Sequence, residues 1–236
     1  MISDGLSRAY FLSPGASALR WRFRAIREAV ADWSSVVGSG SGTGWRVIDI
    51  GGGDGALVKG GLAGRWAGVY TLVESDAAAI AAADSAARGL NVETVGCDAS
   101  LDGGGNLPAA ILAVASGVLE LMDDGAASAV LSAAATSLRR GQRSVSKPVP
   151  GGLLLSTMAW HPHAGLVRRC VAHDRRLGRS ASGPAFRTPI QMEALLRKSG
   201  FNGETLWRSD PRGIAWVGWS ELRPDDDRDR ASVRAG

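Results

Sequence analysis

The stretch at residues 45–58, WRVIDIGGGDGALV, constrains the fold of this chain more than any other. Its apolar residues 47–50, interrupted only by Asp49, predict a buried strand. Glycines follow at positions 51, 52, 53 and 55, and an Ala-Leu-Val run then resumes as if opening a helix. A glycine turn between a strand and a helix exposes backbone N–H groups with a partial positive charge, and the missing Cβ lets a ligand approach them. The stretch therefore predicts a ligand pocket at the end of a strand.

Strand and helix patterns alternate along the rest of the chain. Six further strands are predicted, at residues 69–73, 92–95, 111–115, 153–158, 204–208 and 213–219. The predicted helices cover residues 55–65, 77–88, 117–138 and 188–198. Thr188 is the expected N-cap of the last helix, with Pro189 in its first turn. This alternation predicts an α/β fold with a seven-stranded, mostly parallel sheet, helices on both faces, and a final strand pair that is antiparallel because its connection is short.

The two ends of the chain differ from this core. Residues 1–40 have a helical pattern of their own, in which Leu19, Phe23, Ile26 and Val30 recur at helix spacing, and they predict an N-terminal helical cap or lid. A glycine-serine linker then leads into the core, which is expected at residues 41–220. Residues 221–236 are rich in Arg and Asp and predict a disordered tail.

The composition is that of a soluble globular protein, with 45% hydrophobic and 21% charged residues in 236 positions. The net charge of +4 comes without a dense Lys/Arg block, so nucleic acid is not the expected partner. No apolar run approaches the ~20 residues that a membrane span requires, so no membrane association is expected. Cys97 and Cys170 lack metal-ligand spacing and no signal peptide precedes them, which predicts reduced thiols in a cytoplasmic protein.

Acidic side chains accompany three successive strands. Asp49 lies near the end of the first strand, where a carboxylate can reach a cationic group of a ligand. Glu74 ends the second strand, where it can accept both hydroxyls of a ribose, and Asp98 follows the third. The residues Gly51-x-Gly53-x-x-Ala56 also satisfy the dinucleotide-binding fingerprint, whose enzymes share the acidic residue after the second strand. The glycine turn and Glu74 alone therefore leave a nicotinamide cofactor open.

The spacing Asp49-x-Gly-x-Gly-x-Gly55 resembles motif I of the class I S-adenosylmethionine-dependent methyltransferases. Other segments resemble the same family, so that the similarity covers roughly residues 45–219: they are residues 116–122, 150–155, 187–189 and 194–201. The resemblance implies a Rossmann-like fold, S-adenosylmethionine as the cofactor, and an acidic side chain after the third strand that accepts the adenine amino group. The cofactor-binding residues it implies are Asp49, Gly51, Gly52, Gly53, Gly55, Glu74, Ser75, Cys97, Asp98, Ala99, Ala115 and Ser116.

This chain departs from the family pattern in ways that narrow the branch. The family's Asp near the start of the fourth strand is Ile111, and its His after Glu120 is Leu121, which removes one candidate for proton handling. The chain lacks the motifs of amino, cytosine and magnesium-dependent catechol-type methyltransferases. The resemblance therefore implies a metal-independent enzyme that methylates a small molecule such as a secondary metabolite or quinone, with oxygen as the expected acceptor. Whether the protein is a monomer or a homodimer stays open.

All three histidines follow the fifth strand, at the edge of the sheet where ligands bind in such folds. His161 and then His163 are candidates for a general base, which a weakly acidic hydroxyl or amine acceptor would need. The alternative is that both lie in a solvated loop. The residues expected to enclose the substrate are Tyr10, Phe11, Trp160 and His173.

Two other functions stay open. One is a methyltransferase of RNA or peptides that docks through the Arg-rich N-terminal helix. The other is a protein that binds the cofactor with altered or lost chemistry.

Overall fold

A computed structural model describes residues 16–38, 45–59, 68–87, 90–101, 106–144, 151–158 and 185–222. Its strands are β1 (Arg46–Ile50), β2 (Val69–Glu74), β3 (Val92–Gly96), β4 (Leu112–Ala115), β5 (Gly152–Met158), β6 (Phe201–Ser209) and β7 (Ala215–Leu222). Its helices are α1 (Ala16–Gly38), α2 (Ala56–Lys59), α3 (Ala77–Ala86), α4 (Asp124–Ser144) and α5 (Pro189–Lys198), with a 3-10 turn at Leu119–Leu121. The predicted α/β class is confirmed.

The seven strands form one sheet in the order β3-β2-β1-β4-β5-β7-β6. Strands β1 to β5 are all parallel to one another, whereas β7 lies antiparallel to both of its neighbours, β5 and β6. The mostly parallel sheet and its closing antiparallel pair are thus confirmed. The chain order reverses between β1 and β4, and in open sheets of this kind a crevice forms at the carboxyl ends of the strands beside such a reversal.

Helices cover both faces of the sheet, as predicted, and the strands alternate their side chains between two cores. On β4, for example, Leu112 and Val114 belong to the core under α1, α2 and α3, where Ile26 and Leu57 are buried. Ala113 and Ala115 belong instead to the opposite core. There α4 and α5 bury a larger set of apolar residues, which includes Val130, Leu131, Leu138, Met192 and Leu196.

The N-terminal helix α1 packs on a face of the sheet along most of its length. Its side chains Ile26 and Val30 are buried together with residues of β4 and β5. Near its C-terminal end, the ring of Trp33 meets Trp45, just before β1, edge to face with 6.2 Å between the ring centroids. The first turns of α1 therefore point toward the opposite, carboxyl edge of the sheet. The assignment of residues 1–40 to a separate cap remains a prediction, and Tyr10 and Phe11 lie outside the described residues.

Several predicted boundaries change. The helix after β4 begins at Asp124 and not at Gly117, because Gly117 has a φ of +78°, which ends any helical path there. The final strand β7 continues to Leu222, so the first two residues of the predicted tail belong to the sheet. The remaining residues 223–236 lie outside the described part of the chain, as do residues 60–65 of the predicted helix after β1.

The predicted start of α5 is confirmed in detail. The Thr188 hydroxyl accepts a hydrogen bond from the Gln191 backbone N–H, and the Gln191 side chain accepts one from the Thr188 N–H in return. Pro189 occupies the first helical position, where no donor is lost. The helix is followed by Gly200 with a φ of +92°. Among the described residues, no helix is long and apolar enough to cross a membrane.

Candidate cofactor site

The glycine turn after β1 adopts the left-handed backbone that its sequence predicts. Gly51, Gly53 and Gly55 have φ values of +68°, +59° and +75°. The N–H of Gly51 donates to the carbonyl of Val73 at 2.8 Å, which ties the turn to the end of β2. A Cβ on Gly51 would lie 2.5 Å from Cγ2 of Val118, whereas a Cβ on Gly53 would meet nothing within 4 Å. The backbone at Gly53 is therefore the open part of the turn.

Glu74, the last residue of β2, joins two turns at this edge. Its Oε2 accepts a hydrogen bond from the Gly53 N–H at 3.0 Å. Its Oε1 accepts from the N–H groups of Ser75 and Asp76 at 2.8 and 3.0 Å. The Ser75 hydroxyl makes a fourth and longer bond to Oε1, at 3.4 Å. These bonds fix the direction of the carboxylate, and because it offers about four acceptor positions, a ligand hydroxyl would replace or share the weaker of them.

Asp98 lies two residues beyond β3, the strand that neighbours β2. Its Oδ1 accepts from both the N–H and the hydroxyl of Ser100, at 2.9 and 2.6 Å. The preceding residue, Cys97, is half-buried and donates its N–H to the Glu74 carbonyl at 3.1 Å, and Ala99 is buried. The structure thus brings the loop that carries Asp98 to the same edge as Glu74.

The end of β4 supplies the fourth part of this edge. Ala115 is buried, and the hydroxyl oxygen of Ser116 is also buried, with no hydrogen-bond partner among the described residues. Leaving a buried hydroxyl unpaired costs roughly 1–3 kcal/mol. A ligand or a water that pairs with this hydroxyl would recover that energy, so Ser116 fits the rim of a binding site.

Asp49 lies beneath the glycine turn. Its side chain is 1% exposed, and its Oδ2 accepts a hydrogen bond from the Tyr70 hydroxyl at 2.7 Å. Burial raises the pKa of Asp49 from 3.8 to about 7, and the charge of Glu74 adds to this rise, while the Tyr70 hydrogen bond opposes it. Burial also raises the pKa of Tyr70. Asp49 can hold a cationic ligand group only in its ionised form, so its burial couples binding to proton loss.

Two arginines hold the loop between β4 and α4, residues 116–123, which we call the β4 loop. Arg22 of α1 donates from Nη1 to both oxygens of Glu120, at 2.7 and 3.0 Å. Arg187 donates from Nη1 to the Leu119 carbonyl at 2.7 Å and from Nη2 to the Met122 carbonyl at 2.8 Å. Its Nε donates to Asp124 at 2.9 Å. These contacts keep the loop, and with it Ser116, against the glycine turn.

The sequence alone missed both arginines. Arg22 and Glu120 lie 98 positions apart, and nothing in the helical pattern of α1 marks Arg22 among its neighbouring arginines. A weak signal existed for Arg187 and Glu120, because both fall in segments that resemble the methyltransferase family.

A groove of about 490 Å³ runs between α1 and the start of α2. Its lining combines arginines with aromatic and apolar side chains: Ser17, Arg20, Trp21, Phe23, Arg24, Arg27, Ala56 and Leu57. Neither Glu74 nor Asp98 lines it, but Ala56 and Leu57 directly follow the glycine turn, so the groove adjoins the turn on the side of α1.

The predicted catalytic and substrate residues lie elsewhere in the chain. Tyr10, Phe11, Trp160, His161, His163 and His173 are outside the described residues, and their roles stay predictions. Within the described ranges, no group of three or more His, Cys, Asp and Glu side chains is arranged to hold a metal ion.

Comparison with solved structures finds proteins of similar fold. The magnesium protoporphyrin IX methyltransferase of Synechocystis PCC 6803 with bound SAM aligns over 94% of this chain and 97% of its own, with a TM-score of 0.58 and 15% identity. The mitomycin 7-O-methyltransferase MmcR aligns over 94% of this chain and 60% of its own, with a TM-score of 0.57 and 20% identity. Human N-acetylserotonin methyltransferase aligns over 93% and 59%, with a TM-score of 0.52 and 20% identity.

The fold is that of the class I methyltransferases. This confirms the fold that the motif resemblance implied. The chain spans about 60% of the length of the mitomycin and N-acetylserotonin enzymes and nearly all of the Synechocystis enzyme. No family model matches the sequence, and comparison with curated proteins finds no match.

Proposed function

We propose that this protein is an S-adenosylmethionine-dependent methyltransferase that acts on a small molecule. One observation carries the proposal. The glycine turn, Glu74, Asp98 and Ser116 follow the four neighbouring strands β1, β2, β3 and β4, and all four strands are parallel. They therefore meet at one edge of the sheet, beside the point where the chain order reverses.

The residues at this edge fit the parts of the cofactor. Glu74 would accept the two ribose hydroxyls, Asp98 would accept the adenine amino group, and ionised Asp49 would pair with the ammonium group. The open backbone at Gly53 leaves space for the cofactor to approach closely, and the hydroxyl of Ser116, unpaired among the described residues, could form a hydrogen bond to it. S-adenosylmethionine supplies an electrophilic methyl group on its sulfonium. The residues of this chain would contribute alignment, which accounts for much of the rate of an in-line transfer.

The proposed acceptor is an oxygen atom of a secondary metabolite, and no metal ion takes part in the proposed reaction. The name of one similar structure, mitomycin 7-O-methyltransferase, states an oxygen acceptor, and the names of two others describe methyltransferases of the small molecules magnesium protoporphyrin IX and N-acetylserotonin. A hydroxyl acceptor needs a base, and His161 or His163 would take that role. Equal rates for the wild type, His161→Ala and His163→Ala across the neutral pH range would exclude both as the base.

Calorimetric titration with S-adenosylhomocysteine tests the cofactor assignment. We expect the wild type to bind it and Glu74→Ala to bind at least about tenfold more weakly, because hydrogen bonds to a charged group contribute roughly 1.5–3 kcal/mol. Glu93→Ala is the matched control, since Glu93 is an exposed carboxylate on the neighbouring strand β3. No heat of binding with the wild type would refute the proposal. Equal affinities for Glu74→Ala and the wild type would refute the assignment of Glu74.

The groove between α1 and α2 favours one alternative, a methyltransferase of RNA. Three arginines line this groove, and they could attract a phosphate backbone. Binding to a polyanion weakens steeply as salt rises, whereas turnover of a neutral small molecule does not. A steep loss of activity as salt rises from about 50 to about 200 mM would therefore favour an RNA substrate.

A further inference from the structure

Arg22 of α1 is 3% exposed, and its guanidinium lies where β4 and β5 end. Its Nη1 donates to Glu120 and lies 3.7 Å from the sulfur of Met158, the last residue of β5. Its Nη2 would lie 2.7 Å from a Cβ on Gly117, so the guanidinium covers the backbone directly after Ser116. A side chain from α1 thus reaches the carboxyl edge of the sheet beside the proposed cofactor site.

All the hydrogen bonds that Arg22 makes to the described residues leave from one nitrogen of its guanidinium, Nη1. Both hydrogen bonds to Glu120 leave from Nη1. Nε is buried and has no hydrogen-bond partner among the described residues, and no bond of Nη2 occurs there either. An arginine presents two parallel N–H groups along its Nε–Nη2 edge, and this edge matches the two oxygens of a carboxylate. The Nε–Nη2 edge of Arg22 is therefore the edge that makes no hydrogen bond to the described residues, and its donors are spaced to bind a carboxylate.

The position of this edge connects it to the site. The hydroxyl of Ser116, one residue before Gly117, is the second buried polar group here that lacks a partner. Val118 packs on Gly51 of the glycine turn, so the segment 116–118 spans from Arg22 to the cofactor residues. Glu120 holds the guanidinium by Nη1 and fixes the direction of the free edge.

We propose that Arg22 binds a carboxylate through its Nε–Nη2 edge. This inference rests on the proposed function. Two ligands of that function could supply the carboxylate: the amino-acid part of the cofactor, or an acceptor molecule that bears a carboxylate. In either case the new bonds would pair the buried Nε, whose unpaired state costs roughly 1–3 kcal/mol.

The test compares three probes in the wild type and in Arg22→Lys. The probes are S-adenosylhomocysteine, 5′-methylthioadenosine, which lacks the amino-acid carboxylate, and benzoate added to the S-adenosylhomocysteine complex. Lysine keeps a positive charge beside Glu120 but removes the fork of parallel donors. If the wild type binds neither S-adenosylhomocysteine nor 5′-methylthioadenosine, the proposed function fails. The carboxylate proposal is tested separately, by how much each affinity differs between the wild type and Arg22→Lys.

A cofactor carboxylate predicts that Arg22→Lys weakens S-adenosylhomocysteine about tenfold or more and changes 5′-methylthioadenosine less than about twofold. An acceptor carboxylate predicts that both nucleosides bind as in the wild type while benzoate binding falls by a similar factor. The proposal is overturned if none of the three affinities changes, or if both nucleosides weaken equally, because Arg22 would then only support the β4 loop.

Two further variants complete the test: one guards against loss of folding, and the other is a surface control. Arg22→Gln combined with Glu120→Gln removes both buried charges together, so neither is left unpaired, and it should show the same pattern of affinities. Arg208→Lys is the matched control on the exposed surface of β6, and it should bind all three probes as the wild type does.

Discussion

Asp49→Asn should make the stability of the protein less dependent on pH. Asp49 is 1% exposed, and burial raises the pKa of its carboxyl from 3.8 to about 7. Because the folded-state pKa is the higher one, the protonated carboxyl contributes its full stability below pH 3.8, and this contribution is lost as the pH rises through 7. Asparagine cannot ionise, but it still offers an oxygen to the Tyr70 hydroxyl.

The size of the effect follows from the shift in pKa. Each pKa unit corresponds to about 1.4 kcal/mol, so the whole shift is worth about 4 kcal/mol. Most of the accessible change falls between pH 5 and pH 8. Over that interval, linkage predicts that the wild type loses roughly 2–3 kcal/mol of unfolding free energy relative to Asp49→Asn.

Urea denaturation of both proteins at half-unit pH intervals measures this difference, with the free energy of unfolding extrapolated to water at each pH. Tyr70→Phe is the matched control. It removes the hydrogen bond but leaves Asp49 buried, so the pH dependence of the wild type should persist. A difference between the wild type and Asp49→Asn that stays constant from pH 5 to pH 8 would show that Asp49 is ionised in the folded protein at all these values.

Three other predictions concern the same edge. Binding of S-adenosylhomocysteine at pH 6 should release about one proton, because a cationic group beside Asp49 favours its ionised form; binding enthalpies that do not vary with the buffer's ionisation enthalpy would contradict this. Gly53→Ala should cost about 1–2 kcal/mol through its left-handed backbone. Gly51→Ala should cost more, because its Cβ would also lie 2.5 Å from Val118; equal urea midpoints would refute that contact. Arg187→Ala should destabilise by roughly 2–4 kcal/mol by leaving buried carbonyls unpaired, whereas Arg208→Ala should lie within about 0.5 kcal/mol of the wild type.

Local chemistry explains why much of the fold could be predicted from the sequence. Glycines at 51, 53 and 55 identify a turn because positive φ is costly for other residues, and all three do have positive φ. Thr188, Pro189 and Gln191 identify a helix start because their hydrogen bonds close within four residues. Such signals depend on neighbours in the chain, so a single sequence contains them.

The arrangements that the sequence did not reveal depend on contacts between distant segments. Nothing near Arg22 in the sequence shows that it pairs with Glu120, because Glu120 lies 98 positions away in the turn after β4. The helix start after β4 was predicted too early because the apolar pattern continued through Gly117, whose left-handed backbone the pattern does not encode. Likewise, Asp49 was expected beside a ligand, and only the packing of β2 shows that Tyr70 donates to it.

A crystal structure with S-adenosylhomocysteine bound tests the central claim most directly. We predict the ribose hydroxyls on Glu74, the adenine amino group on the Asp98 carboxylate, and the amino-acid part beside the glycine turn and Ser116. A ligand seated instead in the groove between α1 and α2, or one whose ribose makes no contact with Glu74, would contradict the cofactor site described for this protein.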